Sequence, residues 1–297
     1  MKTRKTRKTL ILLSCVLLSS CENIFKEECE AKGYLKGMVS EKSLSPLTTE
    51  ELQVRYYDYY NNVEHTEKQG EPDYFAANNK FLAALEPNQY RVLAYSRFNN
   101  KVRNADDLST IEIYADTVIS AKYGMPVIAN TQRMVYMAAE EAVILPEDTT
   151  RSVFVLSPMV QKIVFNVRVR GLGVDEKIAD IEALLSGVIL SRKIYTNQPQ
   201  ASYAGQIFSF TGTDVGQYSS EAYVFGLSNK VENVLKMEII TNTDRYYPEV
   251  DLSSVLRQFT ADGIVFELVI DLNNGIAPVV TITDWRDLDW GEILPVL

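Results

Sequence analysis

One stretch of the sequence decides the fold: Ile163-Val164-Phe165-Asn166-Val167-Arg168-Val169-Arg170. Its odd-numbered positions are all apolar, and its even-numbered positions are mostly polar. Because successive side chains of a β-strand point to opposite faces of the sheet, this alternation is typical of a strand with one buried face. The stretch therefore predicts a sheet that packs one face on a core and turns the other to solvent.

Similar patterns extend from this stretch in both directions. Towards the N-terminus the predicted strands are Val54–Tyr60, Tyr90–Tyr95, Ile111–Tyr114 and Arg133–Met137, and the block closes at Val143–Pro146. Towards the C-terminus they are Val234–Ile240 and a hairpin of Ile264–Ile270 with Val279–Ile282. The hairpin turn is predicted at Asn273-Asn274-Gly275, because Asn-Gly supplies the positive φ angles of tight turns. The chain is predicted to be mainly β.

Two segments have the spacing of a helix instead. The first stripe consists of Leu252, Val255, Leu256 and Phe259. Asp251 is placed to cap it, and Gly263 follows. The second stripe consists of Ile178, Ile181, Leu184 and Leu185, and ends near Gly187. Both stripes are short, so we expect short helical decorations, or strands with an irregular pattern, on a β scaffold.

The length and composition indicate a folded chain of two domains. A chain of 297 residues allows two domains of ordinary size. With 46% hydrophobic and 23% charged residues, wholesale disorder is excluded. A polar stretch after Pro146 marks the expected boundary. The predicted organisation is a signal peptide at 1–20, a polar tether at 21–33, an N-terminal domain at 34–150 and a C-terminal domain at 151–297.

The N-terminus has the pattern of a secretory signal. Five basic residues lie between Lys2 and Lys8 and precede an apolar run, Leu10–Leu18. Nine helical residues rise only about 14 Å, whereas a membrane span needs roughly 20 residues. The segment ends in Leu18-Ser19-Ser20-Cys21, which is similar to a bacterial lipobox. In such signals the cysteine is lipidated and begins the mature chain; a plain cleavage site is the alternative.

Charge and cysteine content narrow the possible partners. Removal of residues 1–20 takes five of the 30 basic residues and leaves 25 against 39 acidic ones, a net charge of −14. Such a surface repels nucleic acid, so no nucleic-acid partner is expected. Cys15 leaves with the signal and Cys21 is expected to carry lipid, which leaves Cys29 alone. A disulfide framework within one mature chain is therefore excluded.

Catalytic chemistry has little support in this sequence. His65 is the one histidine, and it lies in a polar stretch, whereas most serine, cysteine and zinc enzymes need a well-placed imidazole. The acidic pairs are Asp106-Asp107, Glu140-Glu141 and Asp287 with Asp289; they leave a glycosidase as a weak alternative. Asp271–Gly275 departs from a calcium-loop pattern. We expect no enzyme, no cofactor and no metal site.

Aromatic residues form the remaining candidate site. Tyr56, Tyr57, Tyr59 and Tyr60 are predicted on one strand, with two rings on each face. Trp285 and Trp290 flank a short acidic stretch. Exposed rings can stack on sugars, although aromatic residues on strands more often close a core. These six residues are the candidates for contact with a glycan ligand.

Several landmarks occur in an order that resembles the fimbrillin-like lipoproteins of the Bacteroidales, a group that includes a lipoprotein family of unknown function related to fimbrial anchor subunits. Besides Cys21, they are Pro87–Tyr95, Leu145-Pro146, Ser157-Pro158 before Ile163–Arg170, Leu185-Ser186-Gly187, Phe225-Gly226-Leu227 and Thr283-Asp284-Trp285. Each landmark alone is loose, and their order carries the resemblance, which spans nearly the whole mature chain.

The resemblance implies a fold and a role. The fold is two tandem β-sandwich domains of transthyretin-like topology, in which Leu184–Gly187 is a strand. The role is structural: an outer-membrane lipoprotein exposed at the cell surface, held by lipidated Cys21, that joins other fimbrillin-like subunits by strand addition. The chain stops soon after Trp290, so we expect it to lack the C-terminal donor strands of polymerising pilins. An anchor or accessory subunit is therefore favoured; a surface glycan- or adhesin-type binding lipoprotein is the alternative.

Lipidation at Cys21 is directly testable. Metabolic labelling with a clickable fatty acid is expected to mark the native chain and to leave the Cys21→Ala variant unmarked, because the thiol is the acceptor. Cys29→Ala serves as the control and keeps the label. Equal label on the native chain and on Cys21→Ala would refute lipid attachment at this residue.

Overall fold

The computed structural model describes residues 31–40, 52–64, 73–74, 80–96, 101–129, 135–214, 216–257, 262–273 and 278–288. Within these ranges strands dominate and helix is limited to one turn. No helix in them is long and apolar enough to cross a bilayer. The predicted mainly-β sandwich fold is confirmed.

The strands are numbered in chain order. Those before residue 160 are β1 (Gly33–Val39), β2 (Leu52–Asp58), β3 (Asp73–Tyr74), β4 (Lys80–Leu85), β5 (Gln89–Ser96), β6 (Val102–Arg103), β7 (Glu112–Tyr114), β8 (Thr117–Ile119), β9 (Pro126–Ile128), β10 (Tyr136–Val143), β11 (Thr149–Phe154) and β12 (Ser157–Pro158). Those after it are β13 (Gln161–Arg170), β14 (Ile178–Ile189), β15 (Ser191–Lys193), β16 (Tyr203–Ser209), β17 (Thr211–Asp214), β18 (Gln217–Val224), β19 (Val234–Thr241), β20 (Arg245–Tyr246), β21 (Glu249–Asp251), β22 (Gly263–Asp271) and β23 (Val279–Leu288), with helix α1 (Ser253–Leu256) before β22.

These strands form five sheets in the described ranges. The outer sheet has the order β11-β1-β4, and the middle sheet has the order β12-β10-β5-β2-β3. The hairpin sheet has the order β17-β18-β13-β22-β23. The wide sheet has the order β20-β19-β14-β16-β9-β8, with β21 beside β19, and the bridging sheet has the order β15-β7-β6.

The middle sheet is buried on both faces along β2 and most of β5. Val54 and Tyr56 point to an outer core, which the middle sheet shares with the outer sheet. Leu93 and Tyr95 point the opposite way, into a central core. A strand covered on both sides carries a nearly continuous apolar run rather than an alternation, and Val92–Tyr95 is such a run. The middle sheet is therefore a layer between two cores.

The central core lies between the hairpin sheet and the wide sheet. Ile163, Phe165 and Val167 of β13 are buried in it, which confirms the predicted alternation. The Phe165 ring stacks on Phe266 of β22, with 5.3 Å between centroids, and meets Phe208 of β16 edge-on at 5.0 Å. Because Phe208 belongs to the wide sheet, the Phe165 ring connects the two sheets.

The predicted C-terminal hairpin is present. β22 and β23 pair antiparallel, with Ile270 opposite Val280. β22 also pairs in parallel with β13. The predicted turn residues Asn274 and Gly275 lie outside the described ranges. In contrast to the predicted strand Val54–Tyr60, β2 ends at Asp58, so Tyr59 and Tyr60 lie in the following turn.

Of the two predicted helical stripes, one is a strand and the other forms a single helical turn. Ile178–Ile189 is the strand β14, as the resemblance implied, and the helical reading of this stripe is wrong. Its apolar residues do not alternate because Ala183, Leu184 and Leu185 in succession are all buried. The other stripe forms only the single turn α1, and its Phe259 lies outside the described ranges. The predicted cap at Asp251 is wrong: the helix N-cap is Leu252, which makes no side-chain cap, although Oδ1 of Asp251 accepts a hydrogen bond from the Ser253 N–H at 2.8 Å.

The predicted division at residue 150 falls inside β11, which pairs in parallel with β1. Strands from the first half of the chain also join sheets of the second half: β7 pairs with β15, and β9 pairs with β16. The central core likewise takes side chains from both halves, such as Leu93 and Phe165. Two tandem domains at 34–150 and 151–297 stay a prediction.

Gly187 marks an irregularity in β14. It has a φ of +74°, which glycine adopts freely, and the pairing with β16 shifts between Leu185 and Val188. A Cβ added at Gly187 would lie 2.8 Å from Oδ1 of Asn233 and 2.9 Å from the carbonyl oxygen of Glu232. Both backbone angle and space therefore require glycine at this position.

We expect Gly187→Ala to lower the free energy of unfolding by about 2–3 kcal/mol, because it adds backbone strain and a close contact. Gly124→Ala is the matched control: Gly124 also has a positive φ, +62°, but nothing lies within 4 Å of an added Cβ. Its loss should be about 1 kcal/mol, since only the backbone is strained. Chemical denaturation measures both; equal losses would show that the contact at Asn233 is relieved without cost.

Candidate interaction site

Part of the predicted site lies outside the described ranges. Cys21, Cys29, His65 and Trp290 are in this group, as are most residues of the polar tether. The described chain begins at residue 31, and Gly33 already belongs to β1 of the outer sheet. Lipid attachment at Cys21 therefore stays a prediction.

The first two candidate tyrosines are core residues. Tyr56 lies in the outer core, where its ring tilts against Phe81 at 6.5 Å between centroids. Tyr57 is fully buried in the central core, and its hydroxyl donates a hydrogen bond to the carbonyl oxygen of Ala105 at 2.9 Å. Burial raises the pKa of the Tyr57 hydroxyl above its ordinary value. Neither ring is available to a ligand at the surface.

The other two tyrosines lie in a turn that Asp58 shapes. Oδ1 of Asp58 accepts hydrogen bonds from the N–H groups of Tyr60 at 2.9 Å and Asn61 at 3.0 Å. Asn62 then takes a φ of +60°, and its N–H bonds the Asp58 carbonyl at 3.0 Å. Asp and Asn favour such turns because their short side chains bond nearby backbone groups. The Asp and Asn residues at positions 58, 61 and 62 were therefore the sequence signal that could have predicted the end of the strand at Asp58.

Tyr60 is the most accessible ring of the tyrosine group. Its side chain is 76% exposed, and it meets the Tyr59 ring edge-on at 5.4 Å. The Arg91 guanidinium lies 4.5 Å from the centroid of the Tyr59 ring and 5.9 Å from that of Tyr195. This cation–π arrangement holds Tyr59 in place. The turn therefore exposes one ring, Tyr60, beside the Tyr59 ring that Arg91 holds in place.

A largely buried ion pair between Arg55 and Glu64 stabilises the turn where it joins β2. Nε of Arg55 also donates a hydrogen bond to the Tyr95 hydroxyl at 2.8 Å. Burial raises the pKa of Glu64, and the nearby Arg55 opposes that shift. The N–H of Glu64 bonds the Asp106 carbonyl, so this pair joins the turn to the middle sheet and to the loop before β7.

Trp285 lies on β23, opposite Phe266, and is 40% exposed. Among the described strands, β23 is the longest that lies at the edge of its sheet. Its second side has no strand partner in the described ranges. Such an edge presents backbone N–H and C=O groups to which another strand can bond.

A polar depression of about 700 Å³ adjoins this edge on the outer face of the hairpin sheet. Its lining includes Asn166, Arg168, Glu267 and Asp284. The Asn166 amide donates a hydrogen bond to Oε1 of Glu267 at 2.6 Å. The depression therefore offers hydrogen-bonding side chains beside the edge strand.

Two members of the predicted acidic pairs, Asp107 and Glu141, interact with neighbouring side chains or backbone groups. Asp107 accepts hydrogen bonds from the Ser109 N–H at 2.8 Å and the Ser109 hydroxyl at 2.7 Å, which lowers the pKa of its carboxyl. Glu141 lies 3.9 Å from the Arg91 guanidinium. Asp289 is outside the described ranges. No three His, Cys, Asp or Glu side chains converge on a possible metal position in the part of the chain that the structure describes.

The fold is similar to known structures over almost its whole length. A candidate adhesin from Bacteroides ovatus matches with a TM-score of 0.60 and 14% identity, over 83% of this chain and 92% of that one. A candidate polysaccharide-binding protein from Bacteroides thetaiotaomicron matches with a TM-score of 0.55 and 9% identity, over 89% and 100%. The fimbrial anchor protein Mfa2 from Porphyromonas gingivalis matches with a TM-score of 0.50 and 13% identity, over 87% and 99%.

At these identities the similarity establishes the fold. The structural neighbours are adhesin-like and fimbrial proteins of the Bacteroidales, as the sequence resemblance predicted. No family model matches the sequence, and no curated protein matches it.

We expect Glu64→Ala to lower the free energy of unfolding by roughly 3 kcal/mol, because it removes one half of a largely buried ion pair with Arg55. Glu141→Ala is the matched control: this glutamate is more than half exposed and far from ideal pairing distance, so its loss should stay below about 1 kcal/mol. Urea denaturation measures both values. Similar small losses would show that the Arg55–Glu64 pair does not hold the turn.

Proposed function

We propose that this protein is a lipid-anchored structural protein of the cell surface and acts as an anchor or accessory subunit of fimbriae. The observation that carries the proposal is the end-to-end match with a fimbrial anchor protein, 87% of this chain on 99% of that one. A fold alone does not define a function. The lipobox-like segment at Cys21 adds independent support, because lipid there would supply the membrane attachment that an anchor needs.

The position of the proposed lipid, close in sequence to the outer sheet, suits a base subunit. Cys21 precedes β1 by 12 residues, so lipid at Cys21 would hold the outer sheet near the membrane. A subunit fixed at its N-terminal side can receive a neighbour only on surfaces away from the membrane. The open edge of β23 belongs to the hairpin sheet and not to the outer sheet, so it is a candidate surface for strand addition, in which backbone hydrogen bonds supply affinity and alternate side chains fill pockets.

The edge can be tested with a pair of adjacent prolines, Arg286→Pro and Asp287→Pro. Adjacent N–H groups of a strand point to opposite sides, so only one of these two prolines removes a bond to β22. We expect the other variant to keep the native melting temperature and to lose co-purification with fimbrial subunits. Loss of the fold in one variant and full assembly in the other would exclude β23 as the joining edge.

A second candidate function, glycan or adhesin-type binding, is favoured by the exposed Tyr60 ring beside Asn61 and Asn62. An exposed ring is suited to stack on a sugar, and asparagine side chains that follow it in the turn are of the type that bonds sugar hydroxyls. We expect Tyr60→Ala to lose glycan-array signal if this function is present. Tyr247→Ala is the control, because Tyr247 is similarly exposed, at 63%, but lies apart from this turn. Unchanged signal in Tyr60→Ala would exclude the turn as a sugar site.

A further inference from the structure

The outward face of the outer sheet has an unusual composition. The register of its three strands places side chains in rows across the sheet, and two of the outward rows are Arg151–Lys36–Leu82 and Val153–Met38–Lys80. The inward residues of the same strands fill the outer core. The outward face combines large apolar side chains with basic ones, and these two rows contain no carboxylate.

The apolar part of this face is accessible. Leu82 is 66% exposed and Val153 is 50% exposed. Met38 lies beside Val153 in one row, and Leu82 lies in the neighbouring row. Tyr34 adds an exposed ring in the next row of the sheet. Isolated exposed apolar residues are ordinary, but a contiguous group on one sheet face is typical of a surface that contacts another apolar phase.

The basic side chains of this face repel one another in the isolated protein. Lys36 lies directly opposite Arg151 on neighbouring strands, and like charges in that position repel each other. Lys80 places a third positive charge at the end of the next row. The whole sequence holds 39 acidic residues against 30 basic ones, so a cationic face runs against the overall composition. An external anion would offset this repulsion.

We propose that this face, defined by Tyr34, Lys36, Met38, Lys80, Leu82, Arg151 and Val153, rests on the anionic headgroup layer of the membrane that holds the chain's own lipid. The inference rests on lipid attachment at Cys21 in the proposed function. Twelve extended residues reach at most roughly 40 Å, so β1 begins within reach of the bilayer. β1 is the first described strand after Cys21, so the outer sheet is the part of the described fold that the shortest stretch of chain ties to the membrane.

The physical chemistry favours contact despite the net negative charge of the protein. Charges are screened over about 8 Å at physiological ionic strength, so a face in contact senses its own cations more than the distant acidic surface. Each basic side chain beside an anionic leaflet contributes about 1 kcal/mol, so three together favour contact by about 100-fold. Tyr34, Met38 and Leu82 add the apolar and interfacial side chains that suit the headgroup boundary.

The test uses the mature lipoprotein carrying Cys29→Ser, so that a new thiol is the only reactive one. Leu82→Cys places a thiol on the proposed face, and Val174→Cys places one in the fully exposed loop after β13. Each protein is reconstituted on vesicles of phosphatidylcholine with phosphatidylglycerol, or held in detergent, and is labelled with a bulky water-soluble maleimide. We expect labelling of Leu82→Cys to slow about tenfold or more on the vesicles, and labelling of Val174→Cys to stay unchanged.

The charge dependence is tested with Lys36→Gln and Arg151→Gln together. This variant should restore fast labelling of Leu82→Cys on the same vesicles, and vesicles of phosphatidylcholine alone should do the same for the unaltered face. Circular dichroism checks that each variant keeps its strand content. Slow labelling that persists after the charges are removed would overturn the electrostatic contact.

Flotation of the vesicles separates the two ways in which the idea can fail. Protein that floats with the vesicles but labels at the detergent rate overturns the membrane contact and leaves the lipid anchor intact. Protein that does not float overturns the anchor and, with it, this inference. Protection already present in detergent, and rising with protein concentration, identifies a second copy of the chain as the occupant and overturns the membrane contact.

Discussion

The middle sheet, whose strands β2 and β5 are buried on both faces, is the constraint on which the rest of the structure depends. Its strands send Val54 and Tyr56 into the outer core and Leu93 and Tyr95 into the central core. A slip of one residue in any of these strands would exchange the two sets and mismatch both cores at once. The register of the middle sheet therefore fixes how the outer sheet sits on one side and how the hairpin and wide sheets sit on the other.

This arrangement explains which strands the sequence revealed. β13 was predictable because it has one buried and one exposed face, which gives the alternation of Ile163–Arg170. β14 resembled a helix because Ala183, Leu184 and Leu185 are buried in succession, so no alternation remains. The pairings of β7 with β15 and of β1 with β11 join residues far apart in sequence, and no local pattern encodes them.

The candidate site was predictable only in part. The sequence identified the tyrosines, but their exposure depends on which layers cover β2. Tyr57 is buried because it belongs to the central core, which also contains residues of strands more than one hundred positions away, such as Phe165. Tyr60 is free because Asp58 ends the strand two residues earlier, a local effect that the Asp and Asn content of the turn encodes.

The place of β1 in the outer sheet has a mechanical consequence. β1 is the first strand of the described chain and lies between β11, which runs parallel to it, and β4, which runs antiparallel. When a pull on Lys32 is directed along the axis of β1, the hydrogen bonds on both of its sides bear load together instead of opening one by one. In that direction the outer sheet resists traction at its N-terminal end, because rupture requires the whole strand to slide at once.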